Sequence, residues 1–267
     1  MKHIMIFALL IVAMACKKDD VKEPMVETEP CLLLGYVTDT TGSGARVEIF
    51  YNKQDLISGT TYAYTGYFGD TTKMTSTVSY YDQQRPSVAT NVVQEINVKF
   101  EYDANKVLVK KTWFEKETLP RYSTRFEWKA GKLDRIIQSS YEVTGAPGST
   151  QNYKETEHSY AMLDIGDDGN LRTLKRFRMD GKALESYAFE YDKSPNPFRK
   201  LYAIQSTYFD QYAHLMSTNN ITRTTIRYPE EQKEYVQDVK RAYNPAGYPL
   251  DGFYPSHRAL ALVYKCR

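Results

Sequence analysis

The 267-residue chain has a hydrophobic fraction of 42%, a charged fraction of 25% and a formal net charge of +2. That length and balance suit one all-β domain, or at most two, with a real core. Lys and Arg are scattered among acids, which excludes a nucleic-acid footprint. Tyr stands out at 23 residues; its apolar ring and polar tip suit half-buried pleated strands, and exposed copies serve as stacking surfaces for sugars.

Met1-Lys2-His3 followed by the apolar run Ile4 to Ala15 reads as a signal peptide over residues 1–15, too short to span a bilayer. Val12-Ala13-Met14-Ala15-Cys16 is similar to the lipobox of bacterial lipoproteins, with Ala13 where Leu is usual. Cleavage before Cys16 would leave a lipidated N-terminus and a membrane partner through the acyl chains. The alternative is a plain signal with an incidental Cys. Residues 16–30, opening Lys17-Lys18-Asp19-Asp20 and rich in Pro and Glu, read as a flexible tether. The Lys-Asp-Asp run also resembles the signal that sends some lipoproteins to the outer cell surface. Residues 31–267 read as a single domain that Cys31 opens and Cys266 nearly closes. An exported compartment permits a disulfide between the two, a long-loop bridge; two separate buried thiols are the alternative.

Strands are expected over Leu32–Val37, Arg46–Tyr51, Thr60–Tyr67 and Lys73–Tyr81, with turns at Asp39–Gly44, Asn52–Asp55 and Gly69-Asp70, and a break at Gln83–Pro86. Gln94 to Tyr102 shows the period of two most clearly. Ile96, Val98, Phe100 and Tyr102 share one face, with Glu95, Asn97, Lys99 and Glu101 on the other. Thr124–Trp128 repeats that pattern. A loop at Gly145–Gly148 precedes strands His158–Leu163, Leu171–Arg178 and Ala183–Tyr191, with turns at Asp167–Asn170 and Asp180-Gly181. Ser194-Pro195-Asn196-Pro197-Phe198 halts regular structure. Leu201, Ile204, Tyr208, Tyr212 and Leu215 then follow helical spacing, and Ile221–Tyr228, Tyr235–Tyr243 and Ala259–Cys266 are the last strands.

One hairpin pattern recurs. Phe100-Glu101-Tyr102-Asp103 leads through a polar turn to Val107; Ile49-Phe50-Tyr51 to Leu56, Phe126-Glu127-Trp128 to Leu133 and Arg241-Ala242-Tyr243 to Tyr248 are variants, and Phe189-Glu190-Tyr191 runs into the Pro-rich segment instead. Chemistry-bearing motifs are missing. His158, His214 and His257 fall in no motif, there is no Cys-x-x-Cys or nucleophile elbow, and no residue set asks for a cofactor or a metal. Asp164, Asp167 and Asp168 lack the alternating oxygens of a calcium loop.

The Tyr-Asp pairs (Tyr81-Asp82, Tyr102-Asp103, Tyr191-Asp192) resemble YD-type repeats. Glu190 to Phe198, followed by Asn219-Asn220-Ile221-Thr222, is similar to a signature of bacterial surface lipoproteins grouped by a domain of unknown function and described as porin-like in fold. Over Cys31 to Cys266 the resemblance implies that fold and a surface location, and no catalytic residue. It departs at Arg241–Pro245, where Pro replaces the usual turn residue, and at Gly166–Leu171, where the aromatic is missing; irregular repeats are expected at both.

The reading is an all-β antiparallel meander of ten or more short strands, curled into an open or closed barrel-like sheet. It is held at the outer membrane by Cys16 and displayed outward. A non-enzymatic binding or structural role is expected, with a glycan, another polymer or a surface protein as partner and no nucleic acid. The alternatives are a carboxylate-dependent glycan hydrolase and an assembly subunit of a surface complex.

Overall fold

A computed structural model describes residues 31–38, 45–65, 71–80, 82, 85–91, 96–116, 118–144, 152–199, 201, 211–254 and 257–266. The signal peptide, Cys16 and the tether lie outside them, as do the expected turns at Asp39–Gly44 and Gly69-Asp70, the Gly145–Gly148 loop, Ile204 and Tyr208. Sixteen strands form one antiparallel sheet: β1 (Leu32–Thr38), β2 (Ala45–Tyr51), β3 (Ile57–Thr65), β4 (Thr71–Tyr80), β5 (Pro86–Asn91), β6 (Ile96–Tyr102), β7 (Leu108–Glu115), β8 (Leu119–Lys129), β9 (Lys132–Thr144), β10 (Asn152–Ile165), β11 (Leu171–Arg178), β12 (Ala183–Pro195), β13 (Asn219–Tyr228), β14 (Lys233–Asp238), β15 (Gly252–Tyr254) and β16 (His257–Lys265). β1 to β14 follow one another as a meander, and the last two strands return to the other side of β1, giving the order β14 to β1, then β16 and β15.

One short helix, α1 (Tyr212–Met216), shows how the sheet curls. Tyr212 packs edge-on against Phe126 of β8, with ring centroids 6.3 Å apart. Leu215, with Phe198 and Leu201, joins the apolar cluster of β1, β2, β3 and β16 built on Leu33, Tyr36, Val47, Ile49, Ile57 and Leu262. Strands seven positions apart touch one helix only if the sheet wraps around it. The concave face is therefore the core face. A second cluster there joins Phe100, Phe126, Ile136, Ala161, Leu174 and Phe189 to Tyr212 and Ala213.

The sheet is open between β14 and β15, and residues 239–250 bridge the seam at one rim. Val239 N–H donates to Thr222 O (2.7 Å), Leu250 N–H to Ala242 O (2.7 Å) and Leu262 N–H to Leu250 O (3.0 Å). Tyr235–Tyr243 is therefore not one strand. β14 stops at Asp238, and Tyr243 faces Pro249 across a small hairpin. Several strands are longer than the sequence suggested. β9, β10 and β12 run 13, 14 and 13 residues, because polar outward residues lie within continuous ladders and do not end them. Pro86 starts β5 instead of breaking the chain; a strand's first residue is a position that tolerates Pro.

The recurrent turn is a five-residue unit. Its first N–H donates to the fifth carbonyl, the fourth N–H returns to the first carbonyl, and the fourth residue has positive φ: a type I turn closed by a bulge. Asn52–Leu56, Asp103–Val107, Gly166–Asn170, Arg178–Lys182 and Asn244–Tyr248 all adopt it. The two copies expected to be irregular are therefore regular. Pro245 takes the second position, where a φ near −65° is required, and Gly169 supplies the positive φ. Ala130-Gly131 makes the two-residue turn with positive φ at both positions. Gly181 has φ +85 with open space where a Cβ would stand. Gly181→Ala should therefore lower unfolding free energy by about 1 kcal/mol, whereas Ala130→Gly should leave it level or raise it by a few tenths of that. Urea denaturation of both variants checks the pair of signs.

Candidate functional site

Even-to-odd strand connections, together with Cys31 and Cys266, define one rim of the curled sheet, here the proximal rim. Aromatic tips latch its hairpins. Tyr51 Oη donates to Leu33 O (2.8 Å), Tyr80 to Ile57 O (2.7 Å), Tyr102 to Pro86 O (3.0 Å), Tyr191 to Leu171 O (2.7 Å) and Tyr264 to Pro249 O (2.7 Å). Trp128 Nε1 donates to Leu108 O at 2.8 Å. In each case a ring near the end of one strand reaches the carbonyl that begins the strand before it, or lies just ahead of it. Arg241 Nη2 takes the same part toward Ile221 O at 3.1 Å. β10 ends in Ile165 instead, and Lys132 meets Ile165 O and Asp167 there. Burial, then the Asp55 charge, pushes the Tyr51 hydroxyl up to about 12; burial also raises Tyr80. These hydroxyls stay protonated donors.

The Glu190–Phe198 and Asn219–Thr222 segments, expected as a surface signature, fasten the insertion that carries α1. Asp192 Oδ1 accepts the N–H groups of Ser194 (2.9 Å) and Asn220 (3.1 Å), while Oδ2 accepts Tyr243 Oη. Asn220 Nδ2 donates to Ser194 O and Pro195 O. Asn196 Nδ2 reaches His214 O (2.6 Å) and Ser217 O (2.9 Å). Ser217 Oγ accepts Leu171 N–H and meets Tyr191 Oη. These polar side chains satisfy backbone groups that the non-sheet insertion would otherwise bury unpaired. The sequence pattern was legible; its use as a fastening was not, because most of the partners lie 18 to 51 residues away.

A cleft of about 510 Å³ opens beside this fastening, lined by Asp168, Asn170, Arg172, Glu190, Asp192 and Lys193 and reaching Phe189 and Tyr191. Asp168 lies 2.8 Å from Arg172 and accepts two bonds from Asn170. Those bonds hold its carboxyl below the usual range, with the Arg172 charge acting in the same direction. Asp167 pairs with Lys132. Among the described residues no three His, Cys, Asp or Glu side chains converge as a metal site.

Lys111 and His214 are titratable side chains buried in the interior. Lys111 is fully buried, its Nζ 5.7 Å from both the Phe100 and Phe126 ring centroids. Burial pushes its amine down to about 7. His214 on α1 is pushed down to about 3, by burial first and the Arg241 charge second. Across β9 and β10, Ser140 Oγ and His158 Nε2 are 2.5 Å apart, a contact no sequence motif announced.

The opposite, outward face of β7 to β10 is a polar ladder. Lys110 pairs with Glu155 (2.7 Å), and Ser123 donates to the same carboxylate. Arg125 bridges Glu127 and Glu157. Thr112, Ser123 and Ser139 on the same face are buried.

The structure places the sulfurs of Cys31 and Cys266 as a disulfide, 235 residues apart in sequence, at the point where β1 and β16 run side by side. No protein-family model matches the sequence, and no curated protein matches it. Among the solved structures similar in fold are two porin-like proteins. A porin-like protein from Bacteroides uniformis superposes with a TM-score of 0.55 at 11% identity, covering 90% of this chain and 98% of its own. One from Bacteroides vulgatus gives 0.50 at 14% identity, covering 88% and 99%. At such identities the likeness is one of fold alone.

Two outcomes are expected. Peptide mapping without reductant should recover Cys31 joined to Cys266, and reduction should cost about 5 kcal/mol in the chain-entropy account; free thiols at both positions would overturn the link. Between pH 7 and about 10.5 the unfolded chain holds a Lys111 proton that the folded chain lacks, so stability should rise with pH across that window. Lys111→Met should flatten the rise in urea titrations at pH 7 to 10.

Proposed function

We propose that this protein is an outer-membrane lipoprotein, anchored through Cys16 and displayed outward, with a binding or structural role and a glycan or other polymer as ligand. One observation carries the preference for binding over turnover: two of the three cleft carboxylates, Asp192 and Asp168, are committed. Asp192 gives both oxygens to Ser194, Asn220 and Tyr243, and Asp168 is held charged by Asn170 and Arg172. A glycan hydrolase needs one carboxylic acid kept protonated beside a free partner. The runner-up remains such a hydrolase, favoured by the presence of Asp168, Glu190 and Asp192 on one cleft.

The outward ladder supports a sheet bathed in water. Lys110, Arg125, Glu127, Glu155 and Glu157 occupy the face that a membrane-spanning barrel would give to lipid. A porin-like shape and a lipid anchor are compatible with that face, since the anchor attaches the protein without inserting the sheet.

Cys16→Ala should release the protein from the membrane fraction, and retention would overturn the anchor. A glycan array probed with the full chain, with product analysis on each hit, should give binding without product. Product release would establish the hydrolase.

A further inference from the structure

We propose that the ligand-binding surface is the inner wall of the curled sheet near the distal rim, opposite the cysteines, and that it takes an uncharged glycan chain. This deepens the binding reading and rests on it.

Along the concave face the chemistry changes with depth. Toward the proximal rim it is filled by α1 and the apolar clusters. Among the described residues, Tyr122 toward the distal rim lies outside those clusters. Tyr122 shares the concave face with Thr124 and Phe126 by alternation along β8, and stands opposite Trp113 in register. It is nonetheless 63% exposed, so the wall there is open to water. Trp113 is partly buried against the edge of the core. Cross-strand neighbours on one face lie about 5 Å apart, so the two rings form a continuous platform. Ser140 faces Tyr122, and Gln138 faces Thr124, on the next strand. Flat rings beside hydroxyl and amide groups match the two faces of a sugar, its C–H patch and its ring of hydroxyls.

Charge selects the ligand class. On β2 to β6 the concave face carries Val47, Ile49, Tyr62, Met74, Ser76 and Val98, with no acid, Lys, Arg or His among its described residues. The outward faces of the same strands carry Arg46, Glu48, Lys73, Lys99 and Glu101. Across the interior, Arg176 and Glu185 neutralise each other at 3.0 Å; on the platform strands Glu115, beside Trp113 on the same face, pairs with Arg121, and Glu142 stands opposite Lys154 in register. An anionic or cationic polymer would leave its charges unpaired against the β2 to β6 wall; a neutral chain would not.

The chain has two Trp residues, and Trp128 is engaged at the proximal rim. Trp128→Phe therefore leaves Trp113 as a reporter inside the distal wall. The full chain with this substitution, in detergent, is titrated with mixed-linkage β-glucan, a soluble α-glucan and galactomannan, and with the anionic polygalacturonate and heparin. An uncharged glycan should shift Trp113 emission, Tyr122→Ala should weaken that binding about tenfold, and Lys73→Ala on the outward face of β4 should leave it unchanged. Tyr122 is exposed, so its truncation leaves the fold intact. Binding with Trp113 silent and Tyr122→Ala unaffected would overturn the inner wall as the site while sparing the binding reading. Binding confined to the anionic polymers would overturn the uncharged class. Failure of all five would overturn both this inference and the glycan reading.

Discussion

The latch from a strand-terminal ring to the carbonyl near the start of the preceding strand is the constraint on which the rest depends. A long antiparallel meander is a chain of local hairpins, and nothing in hairpin pairing alone sets how one hairpin tilts against the next. A Tyr hydroxyl that must reach a carbonyl 15 to 23 residues back fixes the depth and twist of each pair at the proximal rim. Repeating it from Tyr51 to Tyr264 gives each pair a similar tilt, and a consistent tilt curls a sheet. Each bond adds about 1 kcal/mol, less important than the geometry it enforces.

Curling creates an inside, and the inside needs filling. The Pro-rich interruption after β12 supplies the filler by sending Phe198, Leu201 and α1 into the space that β1, β8 and β16 enclose. Such an insertion brings unpaired backbone groups with it. Asp192, Asn196, Asn219 and Asn220 answer them one by one. Among the described residues the filler packs into the apolar clusters, and Tyr122 near the far rim is left exposed.

Much of the fold could be read from the sequence because its logic is local. Alternation in Ile96–Tyr102 gives a face, and Asn, Asp and Gly at fixed places give the turns. Two kinds of information were out of reach. The bulges that offset the register, as between Glu101 and Tyr102, are set by turn geometry that hydrophobic periodicity does not report. The Tyr hydroxyls' acceptors are main-chain carbonyls, and a carbonyl leaves no mark in a sequence. High Tyr content therefore read as two-faced strands, when many of these rings are latches. The cleft and the inner wall were invisible for a related reason. The cleft gathers Asp168 and Lys193 from separate strands, and the wall sets Trp113 beside Tyr122 and Ser140 across strands whose pairing the sequence does not print.

The Cys31–Cys266 link has a mechanical side. Residue 31 is where any pull on the preceding segment enters the domain, and β1 is the strand that would take it. Antiparallel pairing from Leu32 with Lys265 through Thr38 with Ala259 places β16 alongside. A sulfur bridge at the shared end splits an incoming load between two neighbouring strands before any ladder bond is stretched. Peeling β1 away singly would require breaking a covalent bond first. Both ends of the described chain thus behave as one attachment point, a seam of two strands instead of a single thread.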